Sequence, residues 1–143
     1  MVGKKKTYRP YSKDKLKFAV YNTITARMGA FGTESLLLQI SALSFAEQTA
    51  NAWDEYGNLA AKMYRSLQAE LNLTGVRAAG VRALVGAAIK FIKAAKYGRL
   101  YTRDEVRTHL ENVARRVGLD DTTASQVIDA LMYQIPTATP GVT

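Results

Sequence analysis

The chain has 143 residues, 48% of them hydrophobic, with no cysteine and a formal net charge of +8 at pH 7. That length suits one domain that buries its own core without help, and the lack of cysteine excludes a disulfide framework, thiolate chemistry and Cys-based zinc sites. No run of about 18 residues is free of charged or polar breaks, and no apolar signal core follows the basic N-terminus, so an intracellular, soluble product is expected.

Charge is segregated along the chain. The net charge is +7 over residues 1–27, −4 over 28–61, +8 over 62–103 and −3 over 104–143. Two basic blocks separated by acidic ones suit a protein that turns two positive surfaces toward a polyanion. Proline occurs only at Pro10, Pro136 and Pro140, and strand-like alternation is nowhere sustained. The expected fold class is therefore all-α: a helical bundle over residues 13–135, with an extended basic N-terminal arm (1–12), a C-terminal helical hairpin and a short tail (136–143).

The arm, MVGKKKTYRPYS, combines Lys4, Lys5, Lys6 and Arg9 with Tyr8 and Tyr11. It has too few apolar groups to order itself, but beside a nucleic acid its lysines neutralise phosphates. Ser12 is placed to cap a helix running to Met28, with Leu16, Val20, Ile24 and Met28 on one stripe and Lys13, Lys15 and Lys17 in its first turns. Cations there oppose the helix dipole, which an anionic partner relieves. Gly29 and Gly32 are expected to break that helix, and Thr33 to cap the next.

The following segment places Leu36, Leu37, Leu38, Ile40, Leu43, Phe45, Ala46 and Trp53 on more than one helical face. A helix apolar on several sides is buried on several sides, either as the central helix or at a contact between subunits. Gly57-Asn58 marks a turn or kink, after which Leu59, Met63, Leu67 and Leu71 continue a helical stripe.

Residues 74–103, TGVRAAGVRALVGAAIKFIKAAKYGRLYTR, carry only positive charges among Ala, Gly, Val, Ile and Leu. With about 100° per residue, Arg82, Lys90, Lys96, Arg99 and Arg103 fall near Lys93 within an arc of roughly 180°, giving one broadly basic side. Apolar residues on both flanks imply that this helix also touches protein. Gly75, Gly80, Gly86 and Gly98 imply close approach to another body, either a DNA backbone or a neighbouring helix. A phosphate-loop reading fails because neither GxxxxGK[ST] nor GxGxxG is present.

Thr102-x-x-Glu105 reads as a capping box opening a helix with Val106, Leu110, Val113 and Val117 on one stripe, closed by Gly118 as a C′ glycine. Asp120, Asp121 or Thr122 caps a last helix bearing Val127, Ile128, Leu131, Met132 and Ile135, ended by Pro136. The segment 114–131 looks somewhat like a helix-turn-helix, and the hairpin also resembles the opening helices of bacterial histone-like proteins. Its second helix has no Lys or Arg after Arg116, which makes it a poor reader of the major groove. His109 is the only histidine, lies between Arg107 and Glu111, and has no partner set for acid–base or metal chemistry. No enzyme, cofactor or metal is expected.

A basic, tyrosine-containing arm ending near RPYS, a Gly- and Ala-rich helical body without cysteine, and the tail PTATPGVT together resemble a major coat protein of the rod-shaped and filamentous archaeal viruses. The resemblance implies helix-rich dimers, homodimeric or formed with a paralogue, that wrap linear double-stranded DNA in the A form, with or without an outer envelope. It implies phosphate contacts at Lys4, Lys5, Lys6, Arg9, Lys13 and Lys17, and at Arg77, Arg82, Lys90, Lys93, Lys96, Arg99 and Arg103. A fairly polar last helix departs from that pattern. The competing readings are a discrete helix-turn-helix or histone-like DNA-binding protein and a component that faces RNA.

Overall fold

A computed structural model describes residues 12–30 and 36–139. The arm residues Lys4, Lys5, Lys6, Tyr8, Arg9, Pro10 and Tyr11, the expected break at Gly32 and cap at Thr33, and the end of the tail from Pro140 lie outside the described residues. Among the described residues the fold is all-α, with six helices in the order α1 (Lys13–Ala30), α2 (Leu36–Glu55), α3 (Gly57–Leu71), α4 (Gly75–Lys96), α5 (Arg103–Arg116) and α6 (Asp121–Met132). None of them is long and apolar enough to cross a membrane.

Local chemistry sets the boundaries. Ser12 caps α1 through its Oγ, which accepts from the Lys15 backbone N–H at 3.2 Å. The expected break at Gly29 does not occur, and α1 runs on to Ala30. One glycine costs a helix only about 1 kcal/mol, which packing overrides. Between α2 and α3 the ladder survives on both sides of Tyr56, whose N–H donates to Ala52 and whose carbonyl accepts from Ala60, both at 2.9 Å. Tyr56 itself leaves helical geometry, with φ −120° and ψ 43°, so the junction is a kink. Helix α4 stops at a Schellman motif: Gly98 adopts φ +86°, its N–H donates to Ala95 at 3.0 Å, and the Arg99 N–H donates to Ala94 at 2.9 Å. Helix α5 opens on the expected capping box, Glu105 N to Thr102 Oγ1 at 3.1 Å and Thr102 N to Glu105 Oε1 at 2.9 Å. Asp120 caps α6 by accepting from the Thr123 N–H at 2.9 Å.

Helix α4 is the axis of the molecule. Every residue from Ala78 to Ile89 is buried, because α1, α2, α3, α5 and α6 all pack on it. Small residues make this crowding feasible. A Cβ on Gly86 would sit 3.3 Å from Thr49 Cγ2 and 3.4 Å from Thr49 Cα, and one on Gly80 would sit 3.0 Å from Leu119 Cδ2. The close approaches at these two glycines are therefore to α2 and to the α5–α6 connection. Trp53 locks α2 to α4, its Nε1–H donating to the Arg82 carbonyl at 2.9 Å while its ring meets Tyr64 of α3 edge-on at 5.9 Å. The stripes Leu16, Val20 and Ile24, Val106, Leu110, Val113 and Val117, and Val127, Ile128, Leu131, Met132 and Ile135 are all buried as expected.

Helices α1 and α2 also pack on each other. The five residues between them reach less than about 20 Å fully extended, while α1 is roughly 27 Å long, so the two helices run broadly antiparallel. The start of α1 therefore lies toward the end of α2. After α6 the chain returns to the α4–α5 turn, where the Ala138 N–H donates to the Tyr101 carbonyl at 2.7 Å.

Of the two placements expected for α2, burial as the central helix of the subunit is overturned. The apolar start of α2 is not buried on several sides: Leu36, Leu37 and Ile40 are 69%, 78% and 55% exposed. The buried side of α2 consists of Ala42, Ala46, Thr49, Ala50, Ala52 and Trp53. Alanine lets α2 lie close to α4, and the leucines, too large for that seam, are left on the outside.

Candidate nucleic-acid interface

The cations of residues 74–103 divide into three groups. Arg82 is in the core, 5% exposed, with its guanidinium carbon 4.2 Å from the centroid of the Tyr64 ring. It stacks on that ring instead of facing an outside ligand. Arg77 sits in the first turn of α4 and is turned toward α6. Its Nη2 donates to Thr123 Oγ1 at 3.0 Å, and its Nε lies 3.8 Å from Asp120 Oδ1.

The third group lies at the opposite end of α4, on the order of 20 Å from Arg77 along the helix axis. Lys90, Lys93 and Lys96 follow each other at spacings of three and form a spiral row along the seam with the second half of α2. Lys90 donates to Gln48 Oε1 at 2.9 Å, Lys93 donates to Glu55 Oε1 at 3.0 Å, and Lys96 lies 5.9 Å from the Tyr56 ring centroid. The hydrogen bond to the Glu55 carboxylate, and then its charge, raise the Lys93 pKa, so this ammonium stays charged. Arg99 and Arg103 are not on α4 at all. The Schellman turn at Gly98 ends the helix first, so the arc that placed them beside Lys93 does not apply. Arg99 occupies the connection, 5.7 Å from the Tyr101 ring centroid, and Arg103 is the exposed first residue of α5. They nevertheless extend the lysine row in chain order.

The antiparallel course of α1 and α2 directs Lys13 and Lys17 toward this same end. Lys13 is exposed, and Lys17 lies 5.2 Å over the Phe18 ring. The cationic end thus draws on α1, α4, the 97–102 connection and α5, and its residues keep much of their side-chain surface in water.

Arg116 escaped the reading of the sequence because it lies in an acidic block. At the C-terminal end of α5 it stacks 4.8 Å from the Phe45 ring centroid and donates to Ser41 Oγ of α2. The only sequence signal for it was a basic last turn, which any well-built helix carries. His109 rests edge-on against Phe91 with ring centroids 5.3 Å apart. Partial burial, and then the Lys90 charge, hold its pKa below the ordinary 6.5.

Geometry also bears on the helix-turn-helix comparison. In such a motif the N-terminal residues of the second helix read bases. Here Asp120 and Thr123, at the start of α6, are engaged by Arg77. The other face of α6 is buried through Val127, Ile128, Leu131 and Met132.

No family model matches the chain, and neither a curated protein nor a solved structure does.

Proposed function

We propose that the chain is a structural nucleoprotein, a viral coat subunit that packs side by side along linear double-stranded DNA through phosphate contacts that ignore base sequence. The observation that carries this reading is the cationic end: Lys90, Lys93, Lys96, Arg99 and Arg103 follow one another at the surface, with Lys13 and Lys17 directed to the same end. Lysine and arginine heads set among Tyr56, Tyr97 and Tyr101 supply phosphate charge beside apolar surface, which suits a stiff, partly dehydrated duplex in the A form. The arm 1–12 adds Lys4, Lys5, Lys6 and Arg9 to the same role.

A coat needs a second surface for its neighbours. Helix α2 offers one about 27 Å from Glu55 along its own axis. The exposed Leu36, Leu37 and Ile40 lie in a stretch, residues 36–46, that has no charged residue. An exposed apolar patch of that kind marks an interaction surface. We assign it to contact with another copy or a paralogue, leaving the cationic end for DNA. The hairpin of α5 and α6, closed off by Arg77, serves as a structural cap in this reading. That engagement of the α6 N-terminus weighs against the helix-turn-helix alternative.

The test is a salt titration with imaging. On linear duplexes of unrelated sequence, affinity is expected to fall linearly in log salt and electron micrographs to show continuous filaments. The triple variant Lys93→Gln, Lys96→Gln, Arg99→Gln should keep its helical circular dichroism and lose up to about three units of salt slope. Preference for one short site, or a triple variant that binds and coats DNA like the parent, would sink the proposal.

A further inference from the structure

A groove of about 440 Å³ opens where α2, α4 and α5 meet, a size typical of small-molecule sites. Its floor is Ala83, Gly86 and Ala87, small because α2 and α4 approach so closely there. Its rim carries Lys90 and Arg116, with neutral donors and acceptors between them, and among the described residues no Asp or Glu lines it.

These two cations differ from the ion-paired ones in the kind of partner each has. Arg77, Lys93 and Arg107 are matched with the carboxylates of Asp120, Glu55 and Asp129. Lys90 and Arg116 are instead held by neutral oxygens, Gln48 Oε1 at 2.9 Å and Ser41 Oγ, and the Phe45 ring further orients Arg116. A neutral acceptor fixes the direction of a cation without cancelling its charge, so both remain poised for an anion. Ser41 and Gln48 are seven residues apart on α2, which sets the two heads on the order of 10 Å apart.

We propose that this groove binds a small organic dianion, with one phosphate or carboxylate at Lys90, the other at Arg116, and its carbon body over Ala83, Gly86 and Ala87. Ser44 and Asn112 line the space between the two anchors. This is a ligand of a different class from the duplex assigned to the cationic end. Lys90 belongs to both surfaces, whereas Arg116 takes no part in the duplex-binding one.

His109 on the rim is a built-in reporter, because it is the only histidine in the chain. The charge that acts on it is that of Lys90 from α4; Arg116 lines the same groove two turns along α5, and the α2 residues of the lining are neutral. His109 is held low by burial and then by the Lys90 charge, and a ligand seated at Lys90 changes both, so binding moves the ring-proton resonance.

The experiment follows the His109 ring proton by NMR in the full chain. It is titrated with a hexose bisphosphate and with a straight-chain dicarboxylate at constant ionic strength, and orthophosphate serves as the one-ended control. The expected result is a saturable shift with at least one two-ended probe, tenfold or more tighter than with orthophosphate, and the responding probe identifies the anion class. Arg116→Gln should weaken it at least tenfold. Ser44→Glu, which adds a carboxylate at an exposed position in the groove, should abolish it with the helical dichroism unchanged. Shifts that only track ionic strength, or an Arg116→Gln protein that binds like the parent, would overturn the proposal. Duplex affinity measured on Arg116→Gln separates the two readings, since it should be unchanged whether or not the groove binds the probe.

Discussion

The middle of α4 and the start of α2 are built on opposite rules. From Ala78 to Ile89 nearly every side chain is small or branched, a single arginine sits among them, and all twelve are buried. From Leu36 to Leu43 there is no charge, yet Leu36, Leu37, Leu38, Ile40 and Leu43 all face outward. The contrast teaches that the position of a helix among its neighbours, and the side-chain size its seams accept, decide burial ahead of hydropathy. Ala and Gly let five helices crowd around α4, and Arg82 is tolerated there because Tyr64 takes its guanidinium face. Leucine is too bulky for the α2–α4 seam and is left for another surface.

The sharpest break of that contrast is at Gly86. Gly86→Leu drives a branched side chain into Thr49, where even a Cβ lies 3.4 Å from backbone, and should cost about 3 kcal/mol by overpacking. Urea unfolding measures it, and a near-neutral result would mean that α2 is free to shift away from α4.

Next is Arg82. Because it is stacked in the core, Arg82→Gln should lower stability by about 2 kcal/mol while leaving the salt slope of DNA binding unchanged. The opposite pattern, unchanged stability with a shallower slope, would return Arg82 to the phosphate-binding set.

At the exposed end of the contrast, the double change Leu37→Ser, Ile40→Ser should alter the stability of the isolated subunit by no more than about 0.5 kcal/mol. Self-association, followed by sedimentation velocity, should weaken markedly. If association persists, the apolar face of α2 is not the subunit contact.

The smallest effects are in pH dependence. Asp120 is held below the ordinary 3.8 by its hydrogen bond from the Thr123 backbone, then by that from the Thr123 hydroxyl, with Arg77 adding less. Its folded pKa is depressed, so its contribution is complete above 3.8 and is lost as pH falls through the lower folded value. His109 is likewise depressed, so stability should decline slightly as pH drops below 6.5, where the unfolded chain takes up the proton first. Asp120→Asn and His109→Gln should flatten these two windows separately in urea midpoints measured against pH, and overlapping curves for parent and variants would contradict the assignment.

Much of this was decided by local chemistry and was legible in the residues. Ser12, the Thr102–Glu105 box, Gly118 and Asp120 terminate helices through groups within a few residues of one another, so short sequence windows carry all the information needed. The stripes of α1, α5 and α6 were readable for a similar reason: each helix has one buried face, and a period of 3.6 records one face well. Only the tertiary structure decided what surrounds α2 and α4. Periodicity is silent about a helix enclosed on all sides, and an Arg with an aromatic partner in the core carries the same letter as one facing solvent. Gly98 read as one more small residue in a long helix until its left-handed conformation ended α4 and moved Arg99 and Arg103 off it. The pairing of Arg116 with Ser41 spans 75 residues. A contact at that separation exists only once α2 and α5 are packed, and no local pattern records it.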